Sequence, residues 1–343
     1  MSFASRRRQN SPALDKIQWG IHLTQVPQDV VWAAVENYPR NLIEFEARFS
    51  SDERCRDYLF QTRWPDGFRC PACGYDRAWP VRRVWFECCR CGRQTSVTAG
   101  TVFQDSRKPL TLWFRAIWYV TSQKTGTSAL GLQRVLGLGS YQTAWSWLHK
   151  LRRAMVRPGR EQLKGPVEVD ETYLGAVEEG VRGRQTERKA LIVIAAEENG
   201  RGIGRIRMGR VPDASAASLI PFVEESVEAG SVVHTDGWLG YEPLEKKGYV
   251  HRISYLEGQP KRASQLLPRV HKAASLLKRW LLGTHQGAVS HEHLDYYLDE
   301  FVFRFNRRSS RSRGKLFYRL LQQAVATDPA PYRLIVQRDQ PAP

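Results

Sequence analysis

The sequence predicts an α/β fold with a mixed sheet in the C-terminal half, preceded by a cysteine-rich module and a helical segment. Three observations lead to this prediction. Two C-x2-C pairs lie between residues 70 and 91, residues 109–157 are helical in pattern throughout, and strand and helix patterns alternate after Pro166. Proline and glycine punctuate the chain between the helical segment and the first strand.

The mixed sheet follows from the order of apolar patterns after Pro166. Residues 167–173 and 203–211 alternate in polarity, and 190–196 is a continuous apolar run typical of a buried central strand. Further strands are predicted at 231–235 and 249–255, and helices at 215–228, 267–282, 290–306 and 315–327. Strands and helices in this order predict a sheet with flanking helices.

The cysteine-rich module predicts a bound zinc ion. In the pattern C-x2-C-x14-C-x2-C each pair presents two thiolates from a tight turn, and two such turns close a tetrahedron around zinc. The four expected ligands are Cys70, Cys73, Cys88 and Cys91. Residues 79–86 can form the hairpin of a zinc ribbon. We expect Cys89 to point away from the metal and Cys55 to be a core residue.

A helix-turn-helix is predicted within the helical segment. Residues 128–136 form its first helix, 137–139 its glycine-containing turn, and Ser140 the N-cap of a second helix that starts at Tyr141. Side chains of the second helix that can reach DNA bases and phosphates are Gln142, Thr143, Ser146, His149, Lys150, Arg152 and Arg153. An ordinary αα-hairpin has the same pattern, and that alternative stays open.

The basic balance of the chain predicts a polyanionic partner. The 343 residues carry a formal net charge of +17, which attracts nucleic acid and speeds association, although charge alone does not choose DNA over RNA. The basic first residues precede no apolar segment of the kind found in secretory signals. The sequence has no run of 18 apolar residues. A cytoplasmic protein without a membrane partner is therefore expected.

Two aspartates lie where the strands of such a sheet carry ligand sites. Asp170 lies on the first strand two positions after Glu168, so these two share a face, while Glu171 faces the other way. Asp236 ends a later apolar strand, at the kind of position where α/β sheets bind ligands. Acidic groups there are costly unless paired with a cation. Each aspartate taken singly is also compatible with an ordinary structural role.

The helix predicted after Pro268 carries a further polar line. His271, Ser275 and Lys278 fall at i, i+4 and i+7, so an imidazole and an ammonium lie two turns apart on one face. A lone histidine on a helix is more often structural, and the pattern alone leaves its role open.

Several stretches together resemble the ISXO-type branch of bacterial insertion-sequence transposases. They are RWPDGFRCPACG (63–74), GTVF (100–103), VEVDETY (167–173), HTDGW (234–238), LKRW (277–280), GTH (283–285) and YLDEFVFRFNRR (297–308). The resemblance runs in order over residues 42 to 325. It implies an RNase H-like fold with flanking helices, preceded by the zinc ribbon and the helix-turn-helix.

The resemblance also implies a metal site for DNA cleavage and strand transfer. The two aspartates of the family fall on Asp170 and Asp236. Its third position varies among glutamate, asparagine and histidine, seven residues before a lysine, and falls here on His271 because Lys278 supplies that lysine. Histidine departs from the common glutamate. The alternative acids for the third ligand are therefore Glu171 and Glu300.

The expected chemistry uses two divalent cations, Mg²⁺ or Mn²⁺, roughly 3.5–4 Å apart around a scissile phosphate. In this scheme Asp170 bridges both cations and Asp236 binds one. His271 completes the second site or positions DNA, and Lys278 holds a phosphate. A basic run expected to contact the DNA backbone, or else to be a solvated helix end, comprises Arg304, Arg307, Arg308, Arg311 and Arg313.

The predicted organisation has five parts. They are a basic N-terminal segment (1–45), a zinc ribbon with a preceding helix (46–105), a helix-turn-helix DNA-binding segment (106–160), an RNase H-like catalytic domain (161–327) and a tail (328–343). We expect a transposase at the nucleoid that assembles as a homo-oligomer on double-stranded DNA, on element ends and target. The alternatives are a catalytically degenerate DNA-binding protein and an RNase H-like RNA nuclease.

Overall fold

A computed structural model describes residues 37–82, 84–157, 159–175, 189–254 and 263–336. The predicted N-terminal segment up to residue 36 and the last seven residues of the predicted tail lie outside these ranges. Asn37 is the only described residue of a first unit, Met1–Asn37, and the second unit is Tyr38–Pro343. The architecture below is that of the second unit.

The front of this unit combines two short helices with a small sheet. Helix α1 (Leu42–Arg48) and helix α2 (Asp52–Arg63) begin at N-caps whose side chains accept hydrogen bonds from the first helical turn. Strands β1 (Ala78–Val81), β2 (Trp85–Cys88) and β3 (Gln94–Ser96) form an antiparallel sheet in the order β1-β2-β3. Strands β1 and β2 form the hairpin predicted between the two cysteine pairs.

Three helices follow: α3 (Leu110–Ser122), α4 (Ala129–Leu136) and α5 (Tyr141–Ala154). Ser128 and Ser140 cap α4 and α5 by accepting hydrogen bonds from the backbone of Gly131 and Thr143. Gly137 ends α4 at φ +61°, a left-handed conformation that glycine adopts without steric cost. The helix–turn–helix path of the chain therefore lies where the sequence predicted it.

The second half is a five-stranded mixed sheet in the order β6-β5-β4-β7-β8. Its strands are β4 (Pro166–Leu174), β5 (Ala190–Asn199), β6 (Gly202–Val211), β7 (Val232–Thr235) and β8 (Val250–Ile253). Strands β4, β5 and β6 are antiparallel neighbours, whereas β7 and β8 run parallel to β4. This is the RNase H-like arrangement implied by the resemblance, and it confirms the predicted α/β class.

Helices cover both faces of the sheet. Helix α6 (Ala216–Ser226) and a 3-10 helix (Leu239–Lys247) pack on one face. The remaining helices are α7 (Ala263–Leu266), α8 (Pro268–His285), α9 (Leu294–Phe305), α10 (Arg313–Ala326) and α11 (Tyr332–Val336). Helices α8 and α9 pack on the opposite face of the sheet. No helix in the described ranges is long and apolar enough to cross a membrane.

Helix α10 leaves the sheet and joins the front of the molecule. Phe317, Leu320 and Leu321 are completely buried there among the side chains of α1 to α5, in a cluster that we call the front core. The ring of Phe317 lies 5.4 Å from that of Phe45 in α1 and 5.7 Å from that of Phe114 in α3. Residues near both ends of the described chain therefore share one hydrophobic core.

The edge strand β6 is covered by the end of α9. The Asn306 side chain accepts a hydrogen bond from the Ile206 amide at 2.8 Å and donates one to its carbonyl at 3.0 Å, as a neighbouring strand would. The Arg308 guanidinium donates to the carbonyls of Ile203 and Gly204. These contacts satisfy backbone groups that an open sheet edge would otherwise offer to another chain.

Candidate functional site

The four predicted zinc ligands come together at one point. The Sγ atoms of Cys70, Cys73, Cys88 and Cys91 all lie within 4.8 Å of one another. The Cys70–Cys91 and Cys73–Cys88 sulfur distances are both 3.6 Å. A tetrahedral zinc site with Zn–S distances of about 2.3 Å separates its sulfurs by about 3.8 Å, so this donor set fits zinc.

The two cysteine turns have the same backbone geometry. The amide of Gly74 donates to the Cys70 carbonyl at 2.9 Å, and that of Gly92 donates to the Cys88 carbonyl at 3.0 Å. Both glycines have φ near +70°, which residues with a Cβ rarely adopt. Cys89 lies outside the sulfur group, and Cys55 is buried in α2, where burial raises its pKa to about 12.

The ribbon is fixed to the helix before it. Arg63 at the end of α2 donates to the carbonyls of Ser96 and Val97, each at 2.9 Å. Phe86 of β2 packs against Phe60 and Trp64, with ring centroids 5.0 Å and 6.0 Å apart. Loss of the metal would therefore disturb the aromatic packing of α2 as well as the ribbon.

The two predicted catalytic aspartates lie at the same end of two adjacent parallel strands, Asp170 within β4 and Asp236 directly after β7. Strand β4 pairs with β7 at a constant offset of 66 residues, from Pro166 opposite Val232 to Glu168 opposite His234. Asp170 lies two residues after Glu168, and Asp236 two residues after His234, which form the last pair of this register. Adjacent strands are about 4.8 Å apart, so the two carboxylates project from neighbouring positions at the same end of the sheet.

A buried glutamate anchors the helix that carries His271. The carboxylate of Glu168 accepts hydrogen bonds from the amides of Arg269 and Val270 at 2.6 and 3.0 Å, in the first turn of α8. It also pairs with the Arg269 guanidinium at 2.6 Å. The negative charge thus meets the positive end of the helix dipole and its unsatisfied amides. Glu168 and Asp170 share one face of β4, so this contact brings the start of α8 against the aspartate.

His271 and Asp170 are neighbours in the fold. The His271 Nε2 atom lies 3.6 Å from an Asp170 carboxylate oxygen, and both side chains are partly exposed. Partial burial lowers the pKa of His271, and Lys278 lowers it further, against the opposing charges of Glu168 and Asp236. The neutral imidazole, which is the form that binds metals, is therefore favoured at neutral pH. Lys278 lies exposed two turns along α8.

The aspartate and histidine donors are less tightly grouped than the cysteines. Among the described residues, only the four cysteines bring three or more potential ligand atoms within 4.8 Å of one another. The donors are two carboxylates and an imidazole. This set suits Mn²⁺ better than Mg²⁺, which prefers oxygen ligands.

The alternative acids are held elsewhere. Glu300 in α9 is completely buried and pairs with Arg152 and Arg304, each at 2.7 Å. Burial would raise the pKa of Glu300, but the two arginines outweigh it and hold the pKa at about 2. Glu171 faces the opposite side of β4 from Asp170, where it accepts a hydrogen bond from the hydroxyl of buried Tyr241 at 3.0 Å. The structure thus gives no support to either acid as the third ligand.

The predicted DNA-contacting side chains of α5 divide into two groups. Gln142 is exposed, and Thr143, Ser146 and Lys150 are half-buried. Thr143 and Ser146 also form hydrogen bonds within the first turns of α5. His149 and Arg152 are buried, so their prediction as DNA contacts is wrong. The reason is long-range: α9 packs against this side of the helix and supplies Glu300 as the partner of Arg152.

The basic run after residue 303 is largely structural. Arg304 pairs with Glu300 and donates to the carbonyls of Gln123 and Val120 at the end of α3. Arg308 caps the sheet edge, as described above. Backbone carbonyls and a buried carboxylate already bind donors of these two guanidinium groups, and their predicted DNA contacts stay a prediction. Arg307 stacks on Phe303 at 4.1 Å and faces a cavity.

Sequence reasoning missed three residues of this site. Glu168 and Arg269 position α8, and Tyr241 holds Glu171 on the far side of β4. The position of Glu168 on the same strand face as Asp170 was the one available signal. The sequence could not show that α8 begins beside it, since these residues are about a hundred positions apart.

Comparisons with known proteins show which family this chain resembles. Residues 162–306 match the family model described as an ISXO2-like transposase domain, and residues 50–94 match a transposase zinc-ribbon domain. An uncharacterized protein in transposable element ISH50 of Halobacterium salinarum is 30% identical over 288 residues, covering 78% of this chain and 94% of that protein.

A solved structure also matches part of the chain. The crystal structure of a pre-cleavage Mos1 transpososome covers 67% of this chain and 80% of its own, at 13% identity. Its TM-score of 0.24 is too low to establish a shared fold.

Proposed function

Because the chain belongs to the ISXO2-like transposase family, we propose that it binds the ends of its insertion sequence and cuts and joins DNA strands with divalent cations. The observation that carries this proposal is that Asp170 and Asp236 lie at the same end of the adjacent parallel strands β4 and β7, with His271 3.6 Å from Asp170. Two carboxylates and a neutral imidazole at one end of a sheet form a donor set for divalent cations.

In this proposal the residues of the site have different tasks. Asp170, Asp236 and His271 would together hold the divalent cations. Lys278 holds a DNA phosphate. Bound there, the cations would neutralise the scissile phosphate and activate water or a DNA 3′-hydroxyl for in-line attack. Glu168, through the first turn of α8, keeps the imidazole beside Asp170.

A structural zinc ion at Cys70, Cys73, Cys88 and Cys91 is a second part of the proposal. The sulfur distances and the paired glycine turns support it. The front half, with Gln142, Thr143, Ser146 and Lys150, would recognise element ends in double-stranded DNA. We propose that several copies assemble on element ends and target DNA, because transposition must hold separate DNA segments together, and that they act in the cytoplasm at the nucleoid.

A supercoiled plasmid that carries the element ends tests the proposal. We expect nicked, linear and joined products with Mn²⁺ or Mg²⁺. Asp170→Asn and Asp236→Asn should each abolish cleavage and joining but leave binding to the ends within about twofold, because the carboxamide keeps the shape and loses the charge that holds the cation. Cleavage at the wild-type rate by either variant would show that the substituted residue is not a metal ligand.

A DNA-binding protein without catalysis is the second candidate. It is favoured by the looser grouping of the aspartate and histidine donors compared with the cysteines. Binding to the ends with no cleavage in either metal, from wild-type protein that retains its zinc, would favour this candidate.

A further inference from the structure

An arginine-lined cleft lies between the end of α5, strand β6, the end of α9 and α10. Its volume is about 770 Å³. The arginines that line it are Arg157, Arg160, Arg205, Arg207, Arg307 and Arg319. Among the described lining residues the acids are only Glu161 and Asp299. The cleft is therefore strongly cationic, and it lies outside the group formed by Asp170, Asp236 and His271.

One arginine on the wall of this cleft is almost completely buried. Arg207 is 5% exposed, and its guanidinium donates to the carbonyls of Ile206 and Glu161 at 3.0 and 2.5 Å. Within the described ranges it forms no ion pair with a carboxylate closer than 4 Å. A buried charge without a counter-ion is costly, and proteins rarely keep one unless an anion accompanies it.

The neighbouring cations increase this cost. Burial lowers the pKa of Arg207 to about 10, and the charges of Arg160, Arg205 and Arg307 lower it further, against the opposing charge of Glu197. Burial also lowers the pKa of Arg307, and Arg319 and Arg157 lower it further. Of these groups, Arg205 pairs with Glu197 at 2.7 Å and Arg160 pairs with Glu225 at 3.7 Å. The charge of Arg307 repels that of Arg207, and the charge of Arg157 repels that of Arg307, so a bound anion would relieve this repulsion.

A polar side chain in the cleft also lacks a partner. The Oε1 atom of Gln323, on α10, is buried and has no hydrogen-bond partner in the described structure. The two ends of an amide can exchange by rotation, so Gln323 can turn its NH₂ group toward an anion. Arginine is the side chain best matched to phosphate oxygens, because its planar fork presents paired donors.

We propose that this cleft binds the phosphodiester backbone of DNA, on the premise that the protein is the DNA transposase proposed above. Helix α5 connects the two DNA contacts. It has 14 residues, which at 1.5 Å per residue span about 21 Å, from exposed Gln142 near its start to the cleft at its end. One turn of duplex DNA is about 34 Å long, so a single duplex can contact both ends of α5.

The test measures how DNA binding depends on salt. The probe is a duplex of arbitrary sequence several helical turns long, titrated by fluorescence anisotropy at a series of KCl concentrations. The slope of log K against log[salt] falls by about 0.9 for each lost phosphate contact. The Arg157→Gln/Arg307→Gln double variant should therefore flatten the slope by about 1.8, whereas Arg157→Lys/Arg307→Lys should retain most of it.

The matched control removes two exposed arginines outside the cleft, Arg40→Gln/Arg333→Gln, with the same change in net charge. It should flatten the slope much less than the cleft variant. Equal slopes for the cleft variant and wild type, with unchanged thermal melting, would overturn the cleft as a DNA contact and leave the transposase proposal standing. Wild-type protein that binds no duplex at any salt concentration would instead contradict the proposed function.

Inorganic pyrophosphate distinguishes DNA from a small anion. Calorimetric titration of wild type and the cleft variant with pyrophosphate measures the affinity of the cleft for free phosphoryl groups. Loss of pyrophosphate binding together with the flattened DNA slope supports the proposal, because both ligands then use the same arginines. Loss of pyrophosphate binding with an unchanged DNA slope overturns it in favour of a small-anion site.

Discussion

Glu168 and Glu300 are completely buried, and each holds a helix in place through charged partners. Glu168 accepts from two amides and the guanidinium at the start of α8, and Glu300 lies between two arginines of α5 and α9. Removing one member of such a buried pair leaves an uncompensated charge and costs about 3–5 kcal/mol. These two residues therefore stabilise the packing of helices in the protein interior.

His271 is the residue whose role a metal comparison can decide. We expect His271→Ala to lose at least about tenfold in plasmid cleavage if the ring binds a cation, because one ligand of the site is gone. Wild-type cleavage should be faster with Mn²⁺ than with Mg²⁺, since imidazole suits transition ions. His271→Glu should shift that preference toward Mg²⁺. Full activity of His271→Ala in both metals would exclude the ring from the site.

The pH profile is a second readout for the same residue. The folded protein lowers the pKa of His271, chiefly by burial, so the ring remains neutral to a lower pH than an exposed histidine. An exposed histidine has a pKa of about 6.5. Activity should therefore persist at that pH and fall only at lower pH, as the His271 ring gains a proton. The decline should disappear in His271→Glu down to the range where carboxylates titrate.

At the level of the elements, the start of α8 links stability to catalysis. We predict that Glu168→Gln destabilises the protein by about 3–5 kcal/mol, because the Arg269 guanidinium and the first amides of α8 lose a fully buried, charged partner. Cleavage should fall more than binding to element ends, because α8 carries His271. Urea unfolding and the plasmid assay measure the two effects. The control Glu198→Gln removes a looser contact to Arg269, 3.4 Å long and partly exposed, and should cost less than about 1 kcal/mol.

The zinc ribbon gives a prediction that needs no DNA. Cys73→Ser should abolish stoichiometric zinc binding and lower the melting temperature, because structural zinc adds its binding energy to folding. The effect should extend to α2, whose Phe60 and Trp64 pack on Phe86 of the ribbon. Zinc released by a thiol reagent and counted with a chromogenic chelator measures the stoichiometry. Cys89→Ser is the matched control and should retain the metal; unchanged zinc in Cys73→Ser would refute the ligand set.

The helices and strands were largely predictable from the sequence, whereas the contacts between distant elements were not. The predicted strand 190–196 lies within β5, and the helix pair around Gly137 has the expected bounds. Local periodicity and caps determine such features. The side of α5 that carries Arg152 was predicted to face DNA, because the sequence does not reveal that Glu300, 148 positions later, lies against it. Pairing between distant charged residues leaves no local pattern.

At the scale of the whole molecule, helices of the predicted catalytic domain contact the predicted helix-turn-helix segment directly. Trp280 and Thr284 of α8 both donate to the carbonyl of Thr125, between α3 and α4, at 2.7 and 3.0 Å. Arg304 of α9 reaches the end of α3. The boundaries proposed at residues 105, 160 and 327 remain a prediction about the chain. Helix α8, which carries His271, therefore contacts the segment that leads into the helix–turn–helix.

The packing of α10 in the front core leads to the last prediction. A protein that ends at Ser312 lacks α10, and with it the buried side chains of Phe317, Leu320 and Leu321 from the front core. Each fully buried side chain of this size contributes about 1.5–3 kcal/mol. The loss is comparable to the whole stability of many domains, so the front half should unfold although its own sequence is complete.

Hydrogen exchange measures this outcome segment by segment. We expect protection in α3 and α5 to collapse in the protein ending at Ser312, while a protein ending at Val336 exchanges like the full chain. Phe317→Ala is the milder test, and it should cost about 3–5 kcal/mol in urea unfolding because it opens a cavity among Phe45, Phe114 and Trp118. Undiminished protection of α3 and α5 without α10 would show that the front half folds alone, and the shared core would then be dispensable.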